Sequence, residues 1–539
     1  MLLRFLKSAS ALYQSPRRRR ARARLREGVA AYVCADRPRA MERCERSLES
    51  DASYADAWYW RAVLWLMDGD NTRALECLER ALQLVPGSEP YLCAKGDALL
   101  LDKREQEALD VFARALSEGD ASPDQRESTP ALRAHPVWLK HLSSVTMPRP
   151  RAEYACAQGL PSLRLEHVAA SHYSNYAALL ANSSRIGKAI EFFERAAAGD
   201  PEFPFPHAAL ALIHTLNRNC SQAVAHALAA KRAGVEVLPD CNDLCLLDAA
   251  LALGQRPGEL DDFLDWTPLW SSDPESALAS LPKVDESSFV PPVRSPLTCF
   301  IACDVRYFVE HAQALIWSIH DHCAHAGVHV HFFAAPGEAG AGFEALRRQA
   351  APLAMHASYE SVDFERYGGR ARYCAHARYG RLYQWVMANE GRVALLDADS
   401  LVRGDLVAAT QGLGDIALVY AVDEPIWHRV LSGFSTYRPS AQSRRFLGRM
   451  AGLAALNLTG GRARYSLDQT ALYVCATLAR ADGTPIDTLP LEYCDTTFQD
   501  HSLVWSVTQS KQLAGRFQEL KSRILQRDGE EGLVLSGQR

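Results

Sequence analysis

The apolar run Val393–Leu396 leads directly into Asp397 and Asp399, with only Ala398 between them. On an extended segment, residues i and i+2 point to the same side, so both carboxylates are expected to emerge together at a strand end. Two hard oxygen ligands in that position suit Mn²⁺ or Mg²⁺, whose octahedron phosphate oxygens and water would complete. One chemistry for such a pair uses the metal to grip the diphosphate of a nucleotide-sugar and offset the charge that develops as it leaves. In another, the first Asp attacks a phosphate directly. A second pair with the same spacing, Asp68 and Asp70 around Gly69, falls between two helical stretches. There Asp and Gly are expected for capping and turning rather than chemistry.

The elements around Asp397 alternate between strand and helix. Leu297–Cys303 reads as a strand ending at Asp304, followed by a helix to about His320. Val328–Ala334 reads as a second strand, and Phe343–Ala350 and Arg378–Asn389 as helices. This alternation predicts a mostly parallel sheet whose ligands bind beyond the carboxyl ends of the strands. A haloacid-dehalogenase-type phosphatase would carry its Asp-x-Asp on the first strand of the domain. Here about 100 residues of strand and helix come first, counting from the Pro-rich linker at 281–296.

Tyr373–Tyr383, containing Arg378, followed by Val393–Asp405, resembles the GT-A glycosyltransferases, in particular the glycogenin/galactosyltransferase-like family 8. Phe300–Tyr307, Leu431–Tyr437 and Ser466–Leu472 resemble further blocks of that family in the same order. The resemblance spans roughly 296–515. It implies a Rossmann-like nucleotide-diphospho-sugar transferase domain, Mn²⁺ or Mg²⁺, and a nucleotide-sugar donor, a UDP-sugar first among them. By the same resemblance Asp397 and Asp399 reach the metal, and Asp304 and Tyr307 contact base or ribose. Arg378 lies near the diphosphate, and Asp468 and Gln469 face the sugar, with Gln469 behind the anomeric carbon. His501 would be the third metal ligand and Lys511 a diphosphate contact. The chain departs from the family between these two, where it lacks the Gly and the Pro-Trp of the closing segment.

The other half of the chain repeats every 34 residues. Trp58, Ala62, Trp65, Ala74, Leu78 and Ala81 mark one unit, with Pro86 after it. Gly96, Ala108, Phe112 and Ala115 follow one period later; Gly28, Ala31, Ala40 and Cys44 stand one period earlier. The register is lost across 123–169 and returns with Tyr173, Ala177, Ala189, Phe193 and Pro201, then with Ala211, Ala223 and Ala227. Small residues at this spacing let two helices cross closely, and prolines stop the second helix of each pair. The pattern resembles the tetratricopeptide repeat, a solenoid whose concave face takes a protein or peptide. A divergent unit with an insertion is expected at 123–169, and a closing helical pair at 238–270.

The 539 residues are 48% hydrophobic and carry a net charge of −5. Residues 1–28 hold +8 and the remainder −13, so a mainly acidic body argues against nucleic acid as partner. No apolar stretch is long enough to span a bilayer, although the basic residues of 1–28 could touch anionic lipid. The 14 cysteines lie singly, without metal spacing, as expected of a reducing cytoplasm. The expected fold is therefore α plus α/β. It comprises a basic arm at 1–20, helical repeats at 21–280, a linker at 281–296 and a GT-A-like domain at 297–539. The expected function is metal-dependent sugar transfer to an acceptor presented by the repeats, or, in the alternative, a catalytically inactive scaffold.

Overall fold

The structure, a computed structural model, describes residues 15–34, 36–116, 165–183, 185–234, 239–259, 263–271, 273–284, 289, 295–422, 424, 426–464, 467–507 and 515–526. The chain divides into two compact units, Met1–Arg256 and Pro257–Arg539.

The first unit is a stack of helical hairpins: Pro16–Val33 with Arg37–Ser50, Ala55–Met67 with Asn71–Leu84, Glu89–Leu101 with Glu105–Ala115, Leu165–Asn182 with Ile186–Gly199, and Pro204–Leu216 with Cys220–Arg232. The 34-residue small positions lie where helices cross. Ala62, Ala74, Leu78 and Ala81 are fully buried. A Cβ on Gly96 would stand 2.6 Å from the Phe112 ring, so only glycine admits that ring. Asp68, Gly69 and Asp70 form the turn within one hairpin. Gly69 has φ +77°, and the Asp70 carboxylate accepts from the Arg73 N–H at 3.0 Å, capping the next helix. Their backbone-capping work accounts for the spacing.

Three expectations change here. The hairpin at 165–199 stacks directly on the one at 89–115, with the Phe112 and Tyr176 rings 5.6 Å apart. Residues 165–169, expected within a divergent unit, begin the helix Leu165–Asn182, and the remainder of that unit, 123–164, lies outside the described residues. Residues 16–20, assigned to an arm, belong to the first helix. Among the described residues of 238–270, one α-helix, Pro239–Ala252, follows the last hairpin where a closing pair is expected.

The second unit is built on a seven-stranded mixed sheet in the order β3-β2-β1-β4-β7-β6-β8. The strands are β1 Leu297–Cys303, β2 Ala326–Phe332, β3 Ala354–Tyr359, β4 Arg392–Leu396, β5 Ser400–Val402, β6 Ile416–Tyr420, β7 Val430–Tyr437, β8 Asp487–Leu489 and β9 Val504–Ser506. β3, β2, β1 and β4 run parallel, and β7 is antiparallel to both β4 and β6. β5 and β9 form a separate antiparallel pair. β1, β2 and β4 are buried along almost their whole length, which is why β1 and β4 read as largely apolar runs, while β2 also buries His329 and His331.

The described residues of 257–280, assigned to the repeats on sequence, fall in this second unit. The Asn457 side chain brackets Asp265, accepting from its N–H at 2.8 Å and donating to its carbonyl at 3.0 Å. Gly448 and Gly452 admit Pro274 and Pro268, and Gly380 admits Leu278. The segment expected as a linker is also held at points: Phe289 is buried against His329 and His331, and its carbonyl accepts from the Asn389 side chain. No helix among the described residues is long and apolar enough to cross a membrane.

Candidate functional site

Asp397 is the first residue after β4, and the chain turns there. The Ser400 N–H donates to the Asp397 carbonyl at 3.1 Å, so Asp397 to Ser400 form a tight turn rather than the extended segment expected. The turn sends the two carboxylates to different partners. Asp397 takes one arm of the Arg378 guanidinium, whose other arm donates to Asp468 at 2.9 Å. Asp399 accepts from the Tyr307 hydroxyl at 3.3 Å.

Each partner is placed by its own element. Arg378 projects from the helix Arg370–Ala388, and Asp468 lies in the first turn of the helix Leu467–Ala481. That position also suits Asp468 to a helix dipole that favours negative charge. Tyr307 sits in the helical turn after β1, which Asp304 caps by accepting the Tyr307 N–H at 2.8 Å. Asp304 therefore has a structural job, and its second oxygen lies 3.7 Å from Arg370.

The electrostatics of the cluster are tightly coupled. Burial pushes the Asp397 carboxyl up to about 6, Arg378 opposes this, and the neighbouring Asp399 charge adds to it. Burial works against the Arg378 charge, but Asp397 and Asp468 outweigh it and hold its pKa well above the ordinary arginine range. At neutral pH the group thus holds one fixed cation between carboxylates, with Asp399 facing Tyr307.

The floor of the site comes from β7 and β9. The Asp397 N–H donates to the Gly433 carbonyl at 3.1 Å. A Cβ on Gly433 would meet Cys494 Sγ at 2.7 Å, Ser506 Oγ at 3.2 Å and Asp397 Oδ2 at 3.4 Å. Ser506 Oγ lies 2.9 Å from Ser400 Oγ across the β5–β9 pair. Cys494 and Ser506 carry no local sequence signal for this role. Ser506 meets Ser400 through the β5–β9 pairing, 106 residues along the chain.

Gln469 donates to Ser432 Oγ at 3.4 Å, and its Oε1 is buried without a hydrogen-bond partner. His501 is placed elsewhere. Its side chain is 68% exposed in the turn before β9, 3.9 Å from Glu492. The antiparallel register pairs Ser400 with Ser506 and Val402 with Val504, so residues before Val504 run past Arg403, away from Asp399. His501 lies in the turn beyond that paired stretch, where its neighbour Asp500 stands 3.7 Å from Arg403. His501 is thus not brought to the carboxylates expected to share a metal with it. Lys511 lies outside the described residues.

Among the described residues no cluster of three or more His, Cys, Asp or Glu is arranged to hold a metal ion. Two carboxylates at a strand end nevertheless fit Mg²⁺ or Mn²⁺ of the kind that arrives with a phosphate substrate. Such ions take one or two protein carboxylates and fill their remaining positions with phosphate oxygens and water. The direct-attack phosphatase does not fit the placement, since Asp397 follows the fourth strand along the chain and Arg378 occupies one of its oxygens.

Residues 55–88 match the family model of the tetratricopeptide repeat. Among solved structures, the chain is similar to PilW, a type IV pilus biogenesis factor, at 20% identity and a TM-score of 0.29, over 43% of this chain and 86% of that one. It is similar to YrrB, a tetratricopeptide-repeat protein with an unusual peptide-binding site, at 14% identity and a TM-score of 0.24, over 43% of this chain and 90% of that one. It is also similar to the glycosyltransferase GlyE of Streptococcus pneumoniae TIGR4, at 15% identity and a TM-score of 0.29, over 42% of this chain and 61% of that one. No curated protein matches the chain in sequence.

Proposed function

We propose that the protein is a glycosyltransferase that moves a sugar from a nucleotide-sugar, a UDP-sugar first among them, to a protein or peptide held by its helical repeats. One observation carries the reading: Arg378 ties Asp397 to Asp468 beside Asp399, beyond the carboxyl end of β4. β4 closes a parallel run of four strands, and ligands of such sheets bind outside the carboxyl ends. On this reading the second unit is a GT-A domain.

Asp397 and Asp399 would hold Mn²⁺ or Mg²⁺. When bound, the ion supplies Lewis-acid stabilisation of the departing diphosphate. The protein's own groups do the positioning. Arg378 fixes the direction of Asp397 and keeps a positive charge beside it. Tyr307 orients Asp399 and presents its ring, with Asp304 behind it, to base or ribose. The unpartnered Gln469 Oε1 offers a hydrogen-bond acceptor to a sugar hydroxyl, with Asp468 next to it. Lys511 would contact the diphosphate. The setting we infer is cytoplasmic.

A catalytically inactive scaffold is the second reading, favoured by the placement of His501 away from the carboxylates. A stability screen of the full chain against nucleotide-sugars, with and without Mn²⁺, followed by donor hydrolysis, separates the two. Selective stabilisation by one nucleotide-sugar in the presence of metal, with slow hydrolysis, supports transfer. Stabilisation without hydrolysis or transfer to any peptide supports the scaffold. No shift with any donor, with or without metal, removes the transferase and leaves the scaffold.

A further inference from the structure

The arginine run near the start of the sequence does two separable things. Arg18 and Arg24 are spent inside the first hairpin. Arg18 lies 3.0 Å from Asp51 and reaches Ser53, and Arg24 donates to Ser50 Oγ and the Arg46 carbonyl, both at 2.8 Å. Arg17, Arg19, Arg20, Arg22 and Arg26 are exposed. The helix Pro16–Val33 turns Ala21, Leu25 and Gly28 into the stack. At 100° per residue, Arg19, Arg22 and Arg26 then fall together on the outer side, with Ala23 and Ala30 beside them. Small alanines between long arginines leave a flat face from which the guanidinium groups can all reach one plane. No acidic residue occurs before Glu27.

From this face we infer a docking site for the surface of an anionic lipid bilayer. Three features favour a bilayer over other polyanions. The guanidinium fork is built for phosphate oxygens. A bilayer presents its charge as a plane, the shape that a flat face of arginines fits. The outer side with Arg19, Arg22, Arg26, Ala23 and Ala30 offers no aromatic ring on which a nucleic-acid base could stack. The attraction would be peripheral and reversible, and would fall with salt.

The test is flotation of the full chain with vesicles of phosphatidylcholine, or of phosphatidylcholine mixed with phosphatidylglycerol, at low and high salt. The expected result is partition to the mixed vesicles alone, lost at high salt. Arg19→Gln, Arg22→Gln and Arg26→Gln, made singly and then together, should each lower partition about fivefold. Unchanged thermal melting would show that these exposed positions leave the hairpin intact. Equal binding to both vesicle types, no binding to either, or full retention by the triple variant overturns the inference. So does tighter binding to an unstructured DNA strand or an acidic peptide than to the mixed vesicles under the same conditions.

Discussion

Arg378 and Asp468, ninety residues apart in the chain, meet at 2.9 Å, and the same guanidinium holds Asp397 with its other arm. Three elements that share no local sequence signal are thereby fixed to one another: the helix before β4, the turn after it, and the helix Leu467–Ala481.

Removing that arginine should be costly. Arg378→Ala leaves Asp397 and Asp468 facing each other without a counter-charge, and unpairing one side of a buried ion pair costs about 3 kcal/mol or more. The second unit should lose stability in urea while the repeat unit keeps its own transition. Arg378→Lys retains the charge but not the two-armed grip, and should restore only part of the loss.

Protonation of Asp397 gives a signed pH dependence. Its folded carboxyl is raised from 3.8 to about 6, so the fold favours the protonated form. The stabilising effect of that proton is complete below the unfolded value and is lost as pH rises through about 6. Asp397→Asn should therefore gain stability relative to wild type as pH rises across that window, with the difference flat above it. Ligand binding should run the other way. A metal needs the carboxylate, so metal-dependent nucleotide-sugar affinity in the wild type should fall as pH drops below about 6. A melting series over pH, paired with titration calorimetry, checks both.

Gly433 is required for space rather than for backbone freedom. Gly433→Ala puts a methyl group 2.7 Å from Cys494 Sγ and 3.4 Å from Asp397 Oδ2. The substitution should displace the floor beneath Asp397 and lower donor hydrolysis at least tenfold, with a lowered melting temperature. Adding Cys494→Ala removes the nearest clash and should recover part of both.

His501→Ala should leave metal-dependent donor binding within twofold of wild type, because the imidazole faces solvent beside Glu492. A tenfold loss of Mn²⁺ affinity in that variant would require β9 to pair with β5 in another register.

What could be read in the sequence follows the range of the interactions. The hairpins were legible because each small residue meets its partner within one 34-residue unit, as Gly96 meets Phe112. The parallel strands β1 and β4 were legible as apolar runs. The division at 256/257 was not, because the contact of Asp265 with Asn457 bridges 192 residues. The insertion of β7 antiparallel beside β4, and the register that carries His501 away, are likewise set by pairing between distant segments. Asp397 and Asp399 could be picked out by type and spacing, and Arg378 and Asp468 by the resemblance of their blocks to family 8. The turn that sends the two aspartates to different partners could not, since an Asp-x-Asp reads the same in a strand and in a turn.

Sugar transfer from a metal-bound donor at Asp397 and Asp399 is tested most directly by donor hydrolysis in Asp399→Ala. This variant removes one carboxylate at the mouth of the site and leaves the Arg378 ion pairs in place. The full chain with Mn²⁺ should hydrolyse one nucleotide-sugar slowly, and Asp399→Ala, melting as wild type does, should lose that hydrolysis by at least a hundredfold. Hydrolysis that persists unchanged in Asp399→Ala, or that needs no divalent metal in the wild type, would contradict the account.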